Sequence, residues 1–222
     1  MIPWVQLDTA EIPGGGQLRL MQRGAEYSIM SGAIELMNSR LSGSEEALAS
    51  LACERLLGRP GPHILIGGLG MGFTLRAALA DLPPAARITV AELVPAVVAW
   101  AKGPMAHLHA GSLSDPRVAI REGDVADAIR AGPGAYDAIL LDVDNGPGGL
   151  NRDANDSLYS ARGLAEAHRA LRPGGLLAVW SAGPDAGFTR RLHAAGFKAE
   201  ERQVRATGGR RGARHVIWLA AR

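Results

Sequence analysis

The chain has 222 residues, a formal net charge of +2, 47% hydrophobic and 21% charged residues, and a single cysteine, Cys53. That length suits one α/β domain with a small appendage, and the composition excludes a disordered or collagen-like chain. So small a net charge speaks against nucleic acid as an obligatory partner, and one cysteine excludes a disulfide framework or a cysteine-cluster metal site.

The opening "MIPWVQLDTAEIPGGG" has no basic flank followed by an apolar core, and no run approaches membrane-spanning length, so a cytoplasmic location is expected. From Gln17 to Met37, "QLRLMQRGAEYSIMSGAIELM" reads as short β-strands punctuated by Arg23-Gly24 and Ser31-Gly32. Residues 1–41 are therefore predicted as a β appendage and 42–222 as the main domain. A helix follows, capped near Ser42 or Ser44, with Glu45 and Glu46 in its first turn where negative charge suits the dipole. It ends at Gly58, before Pro60, and carries Cys53 on a packed face as a core thiol.

From there strands and helices alternate. Strands are predicted at 63–67, 87–92, 117–122, 136–142 and 175–181, and helices at 72–82, 94–102, 124–131, 161–171 and 185–195. Two terminal strands near 197–205 and 214–220 form an antiparallel edge pair. "ITVAE", "YDAILLD" and "GLLAVWS" are near-continuous apolar runs, as in strands buried on both faces, so the fold class is a doubly wound, mostly parallel α/β sheet. The arginines of "RATGGRRGAR", Arg205, Arg210, Arg211 and Arg214, read as a solvated hairpin tip or as an anion-binding or substrate-covering loop.

Between the first parallel strand and its helix stands "HILIGGLGMGFTLRAALADL", with glycines at Gly67, Gly68, Gly70 and Gly72. A glycine turn there exposes free N–H groups and the positive end of the helix dipole, a cradle for an anionic ligand. A P-loop needs Lys and Ser or Thr after its last glycine, and here Met71, Gly72 and Phe73 follow Gly70. The dinucleotide fingerprint meets Phe73 where its third glycine belongs, which weakens NAD without excluding it. The spacing from Gly68 to Gly72 is G-x-G-x-G, the arrangement of S-adenosylmethionine-dependent enzymes of the doubly wound class. The next strand ends in Glu92, whose carboxylate can accept both ribose hydroxyls of an adenosine. Asp124, at the end of the third strand, can cap its helix, accept from an adenine amino group, or do both. The fourth strand runs into "DVDNGPGGLNRDANDSLYS", and ligands of open α/β sheets collect at such carboxyl ends, so Asp142, Asp144 and Asn145 face the reaction site. Asp153, Asn155 and Asp156 lie on a loop long enough for a lid, a composition that ordinary turns share.

These segments resemble the spermidine synthase-like branch of class I S-adenosylmethionine-dependent transferases. The resemblance covers roughly residues 17–181 and rests on "ILIGGLGMGFTLRAAL", "VAELVPAVVAWAK", "YDAILLDVDNGPG" and "LYSARGLAEAHRALRPGGLLAVWS". It implies a Rossmann-like seven-stranded sheet with an N-terminal β-hairpin appendage, and a homodimer using that appendage. It implies a cofactor set of Glu35, Gly67, Gly68, Leu69, Gly70, Gly72, Glu92, Leu93, Asp124, Val125 and Asp142. Asp142 and Asp144 become the catalytic pair, with Asp144 and Asn145 on the acceptor. Departures from the family pattern bear on chemistry. Gly70 replaces the family's glycine-motif Asp, Glu35 its hairpin Gln, and Arg40, Leu41, Ser44 and Glu45 its acidic pair and Tyr-His.

The sequence alone therefore places first a methyltransferase that uses S-adenosylmethionine on a small cationic or amine-bearing acceptor, leaving S-adenosylhomocysteine. The alternative is aminopropyl transfer from decarboxylated S-adenosylmethionine, which leaves methylthioadenosine. A non-catalytic nucleotide-binding protein on the same fold is a further alternative, and no metal or membrane is expected to take part, although "DVDN" offers oxygen ligands.

Overall fold

Two sheets organise the chain, whose computed structural model describes residues 2–143, 146–147, 157–207 and 212–222. The first is antiparallel, in the order β1 (Val5–Glu11), β2 (Gln17–Arg23), β3 (Glu26–Ser31), β4 (Ile34–Asn38). The appendage is thus one strand larger than sequence suggests. β1 escapes a pattern search because it is an edge strand with mostly exposed side chains and a register shift between Gln6 and Asp8. Trp100 ties it to the main domain by donating its indole N–H to Asp8 Oδ2 at 2.6 Å.

The second sheet has seven strands in the order β10-β11-β9-β8-β5-β6-β7. These are β5 (His63–Gly67), β6 (Arg87–Glu92), β7 (Val118–Glu122), β8 (Tyr136–Leu141), β9 (Leu171–Ser181), β10 (Lys198–Arg205) and β11 (Arg214–Ala221). Pairings among β5 to β9 are parallel, and β11 runs antiparallel to both β9 and β10. The helices are α1 (Gly43–Glu54), α2 (Phe73–Asp81), α3 (Pro95–Lys102), α4 (Ala106–His109), α5 (Val125–Ala131), α6 (Ala161–Ala170) and α7 (Ala186–Ala194). This is the expected doubly wound architecture, and its strand order reverses between β5 and β8, where ligands of such sheets bind.

The continuous apolar runs are explained by alternation. Ile64 and Ile66 of β5 face the core that α1, α2 and α3 cover, while Leu65 faces the core under α5, α6 and α7. β8 repeats this with Ala138 and Leu140 on one face and Ile139 and Leu141 on the other. Its one charged residue, Asp137, is buried and neutralised: Arg59 pairs with it, Arg172 Nη1 lies 2.6 Å from Oδ2, and His63 donates its backbone N–H at 2.8 Å.

Three local expectations change. α1 stops at Glu54 rather than Gly58, and a turn fills the interval. Ser42 occupies its N-cap without a side-chain cap bond, and Ser44, inside the helix, sends its hydroxyl to Glu45 instead. β9 begins at Leu171, because Tyr136 pairs with Leu171 before the register shifts to Ala138 opposite Leu176. Among the described residues, no helix is long and apolar enough to cross a membrane.

Candidate active site

The four glycines divide their work. Gly68 has φ +90°, and a methyl group there would overlap the backbone carbonyl of Asp142. The chain there is tied to both neighbouring strands, Asp142 N–H donating to Gly67 O at 3.0 Å from the end of β8 and Gly68 N–H donating to Ala91 O of β6 at 2.9 Å. Gly72, at φ +80°, is where the buried His109 ring packs. A Cβ at Gly67 would meet Val125 at 3.0 Å. Only Gly70, at φ +49°, opens on both cavities described below, and a Cβ there would come 3.0 Å from the flexible Met37 Sδ. Gly68 and Gly72 therefore make room for protein while each lines one cavity, and Gly67, which lines neither, makes room for protein.

The first cavity, about 120 Å³, lies at the carboxyl ends of β5, β6 and β8 and is roofed by the appendage through Ile12, Leu18, Leu36 and Met37. Gly68, Gly70, Glu92, Leu93, Asp124, Val125 and Asp142 line it, so most of the expected cofactor set converges. Glu92 is buried at the end of β6, where Oε1 accepts from Val94 N–H and Oε2 from Leu69 N–H, both at 2.9 Å. Burial pushes its pKa up, and these backbone donors oppose the shift. Two anchored oxygens with spare lone pairs suit the vicinal hydroxyls of a ribose. Asp124 caps α5, accepting from Ala126 N–H at 2.8 Å, and also lines the cavity. Glu92→Gln places an amide against backbone donors and is expected to weaken methylthioadenosine binding about tenfold, or ~1.4 kcal/mol. A calorimetric loss below about threefold contradicts the ribose assignment.

A second cavity, about 70 Å³, adjoins the first and shares Leu36, Met37, Gly70 and Asp142 with it. Its remaining walls are Glu45, Leu69, Met71, Gly72, Phe73 and Trp180. Asp142, just beyond β8, accepts from the Thr74 hydroxyl at 2.6 Å. Burial, then the Glu45 charge, push its pKa up to about 7 against the Thr74 bond. Burial also raises Glu45, whose Oε2 accepts from the Ser44 hydroxyl at 2.6 Å. Two carboxyl groups with raised pKa thus stand in otherwise apolar walls.

Glu35 is placed elsewhere. Its carboxylate receives Ser28 Oγ at 2.7 Å, Asn38 Nδ2 at 3.1 Å and Arg40 Nη2 at 3.1 Å, and it lines neither cavity. The neighbouring Leu36 and Met37 occupy the cleft instead, because the pairing of β4 with β3 shifts register between Glu35 and Met37. Asp144, Asn145, Asp153, Asn155 and Asp156 lie outside the described residues, as do Arg210 and Arg211. Cys53 is buried, and burial pushes its thiol up to about 12. Among the described residues, no group of three or more His, Cys, Asp or Glu side chains could hold a metal. Residues that motif reading passed over are Thr74, Trp180 and the apolar roof, none of which belongs to a glycine or acidic signature.

No protein-family model matches the chain. It is 35% identical over 125 residues to a polyamine aminopropyltransferase of Mycobacterium tuberculosis, a match covering 54% of this chain and 23% of that protein. It is 36% identical over 120 residues to putrescine N-methyltransferase 3 of Nicotiana tabacum, covering 53% of this chain and 30% of the relative. Among solved structures, spermidine synthase from Thermotoga maritima superposes with a TM-score of 0.75 at 17% identity, over 97% of this chain and 72% of that one. The chain is thus similar in sequence to these transferases and in fold to spermidine synthase. A spermidine synthase-like fold accounts for both sheets, and the matched stretches span only about a quarter to a third of the length of these curated relatives.

Proposed function

We propose that this chain transfers an aminopropyl group from a decarboxylated S-adenosylmethionine donor to a cationic amine. The observation that carries the reading is the pair of carboxyl groups, Asp142 and Glu45, in the small cavity that adjoins the one around Glu92. An ammonium acceptor is attracted to them by charge and held by the surrounding apolar walls. Asp142, with its pKa near the working range, removes the proton that blocks the nitrogen lone pair. The bound sulfonium donor supplies an already activated carbon. Glu92, Leu93, Asp124 and Val125 hold its nucleoside, and the appendage roof excludes water. The polyamine aminopropyltransferases among the relatives support this donor over the methyl donor that sequence alone places first.

One observation favours the second reading, methyl transfer from S-adenosylmethionine. Gly70 carries no charge at the shared edge of the two cavities, so a donor carboxylate would meet no like charge there. The tobacco methyltransferase relative is consistent with that alternative. Calorimetric titration with both donors separates the two. Tighter binding of the decarboxylated donor supports aminopropyl transfer, and tighter binding of S-adenosylmethionine overturns it in favour of methyl transfer. Gly70→Asp is expected to shift preference toward the decarboxylated donor by about tenfold or more, ~1.4 kcal/mol. The backbone there is of the left-handed type that Asp tolerates, and Met37 can yield. An unchanged ratio of affinities would place position 70 outside donor selection.

A further inference from the structure

Alkylation of an ammonium by a sulfonium donor releases one proton per turnover: the acceptor nitrogen loses a proton, its lone pair forms the new C–N bond, and the C–S electron pair leaves on sulfur. The acceptor cavity is walled mainly by Leu36, Met37, Leu69, Met71, Phe73 and Trp180, which offer that proton no polar exit. Asp142 and Glu45 are the exceptions: Asp142 is bonded to the buried Thr74, and the bonds of Glu45 lead outward.

Glu45 Oε2 accepts from Ser44 Oγ at 2.6 Å, and Ser44 Oγ lies 2.8 Å from His215 Nδ1. Ser44 is fully buried, while His215, at the start of β11, is partly exposed. These three residues thus form a continuous hydrogen-bonded line from the acceptor cavity to the surface. The Trp180 ring, which also lines the cavity, packs edge-on to the His215 imidazole at 4.8 Å between centroids and fixes its plane. Ser44 in the first turn of a helix without a side-chain cap is otherwise an unused hydroxyl, since neither of its partners is a backbone group.

We infer that Glu45, Ser44 and His215 form a relay that carries the acceptor's proton from the cavity to solvent. The inference rests on the amine-transfer reading of the same site. Glu45 receives across the shared cavity the proton that Asp142 takes from the acceptor ammonium; the Ser44 hydroxyl then turns from Glu45 to His215, accepts the Glu45 proton and gives its own to Nδ1 of the neutral Nε2–H imidazole. The resulting imidazolium releases its Nε2 proton to water, and exchange with solvent restores the starting tautomer. No oxidant or further reactant is needed. Burial keeps the imidazole pKa below its ordinary value, which favours release at the surface. The charged groups around His215 are Glu45, reached through Ser44 from α1, and Arg205 and Arg214 at the adjoining register pair of β10 and β11; Val204 stands opposite it in β10. Glu45 and Ser44 stand where the resemblance sets a Tyr-His pair, so this line belongs to the present chain.

The test uses the full chain with the decarboxylated donor, S-adenosylmethionine and putrescine, reading transfer as a function of pH. His215→Ala and Ser44→Ala are expected to lower kcat on the order of tenfold with KM for both substrates unchanged. Added imidazole is expected to restore the rate of His215→Ala in proportion to its basic form. A second readout is independent of turnover: the nitrogen chemical shifts of His215 should move to a different tautomer balance in Glu45→Gln. Unchanged kcat in both alanine variants, or a loss that imidazole does not restore together with unchanged His215 shifts, overturns the relay while leaving the transferase reading intact. A wild-type chain that transfers neither group to the amine overturns both.

Discussion

Asp142→Asn is expected to lower kcat for amine transfer by about 10²–10⁴-fold, the range of a lost general base, while methylthioadenosine binding stays within a few-fold of wild type. The argument is positional. Asp142 lies where the two cavities meet, and Thr74 holds one of its oxygens at 2.6 Å. The asparagine still accepts from Thr74 but cannot take a proton from an ammonium. For the wild type, activity should rise with pH through about 7, as Asp142 loses its proton, provided the acceptor remains the bound cation. The same substitution is expected to raise thermal stability. Burial raises the folded-state pKa of Asp142 from 3.8 to about 7, so the folded chain binds more protons than the unfolded one across that window. Its contribution is fully present below the unfolded value and is lost as pH rises through the folded value. Removing the ionisable group should therefore raise Tm at pH ~8 by several degrees, at roughly 2–4 °C per kcal/mol for a chain of this size. A variant that is both more active and less stable at that pH would contradict the assignment.

Gly68→Ala is the second large effect, and it strikes the fold. The new methyl group meets the Asp142 carbonyl, a backbone atom fixed by the pairing of β5 with β8, and φ +90° is itself unfavourable for an L-residue. Neither strand end can retreat without breaking the bonds from Asp142 N–H to Gly67 O and from Gly68 N–H to Ala91 O. A loss of about 3–5 kcal/mol is expected, with Tm lower by ~10 °C or more. Gly111→Ala is the control. It has φ +80° with nothing within 4 Å of the new Cβ, so only the backbone penalty applies, ~1–2 kcal/mol. Equal losses in the two variants, measured by denaturant unfolding, would show that contact with β8 contributes nothing.

The sheet was legible because its signals are local. Ile64, Leu65 and Ile66 announce a strand buried on both faces, and Gly68 to Gly72 announce the turn, with no need of distant partners. β1 was not, because its side chains are mostly exposed and its order comes from pairing with β2 and from the Trp100 anchor, both distant in sequence. At the site, Glu92 and Asp124 were legible as strand-end acids, since topology brings every such end to one edge. Glu35 was misleading for the opposite reason. A register shift of β4 against β3, between Glu35 and Met37, turns its carboxylate to Ser28, Asn38 and Arg40 and gives the cleft to Met37. Glu45 read from sequence as a dipole-compensating residue in the first turn of α1. Its place beside Asp142 depends on how α1 packs across the sheet, which periodicity alone does not encode.

The most direct test of the central claim is product analysis by mass spectrometry after the chain is incubated with putrescine and an equimolar mixture of decarboxylated and intact S-adenosylmethionine. The account predicts methylthioadenosine and an amine heavier by one aminopropyl group, both lost in Asp142→Asn. S-adenosylhomocysteine with a methylated amine would contradict aminopropyl transfer, and an unaltered amine with both donors intact would contradict the proposed function altogether.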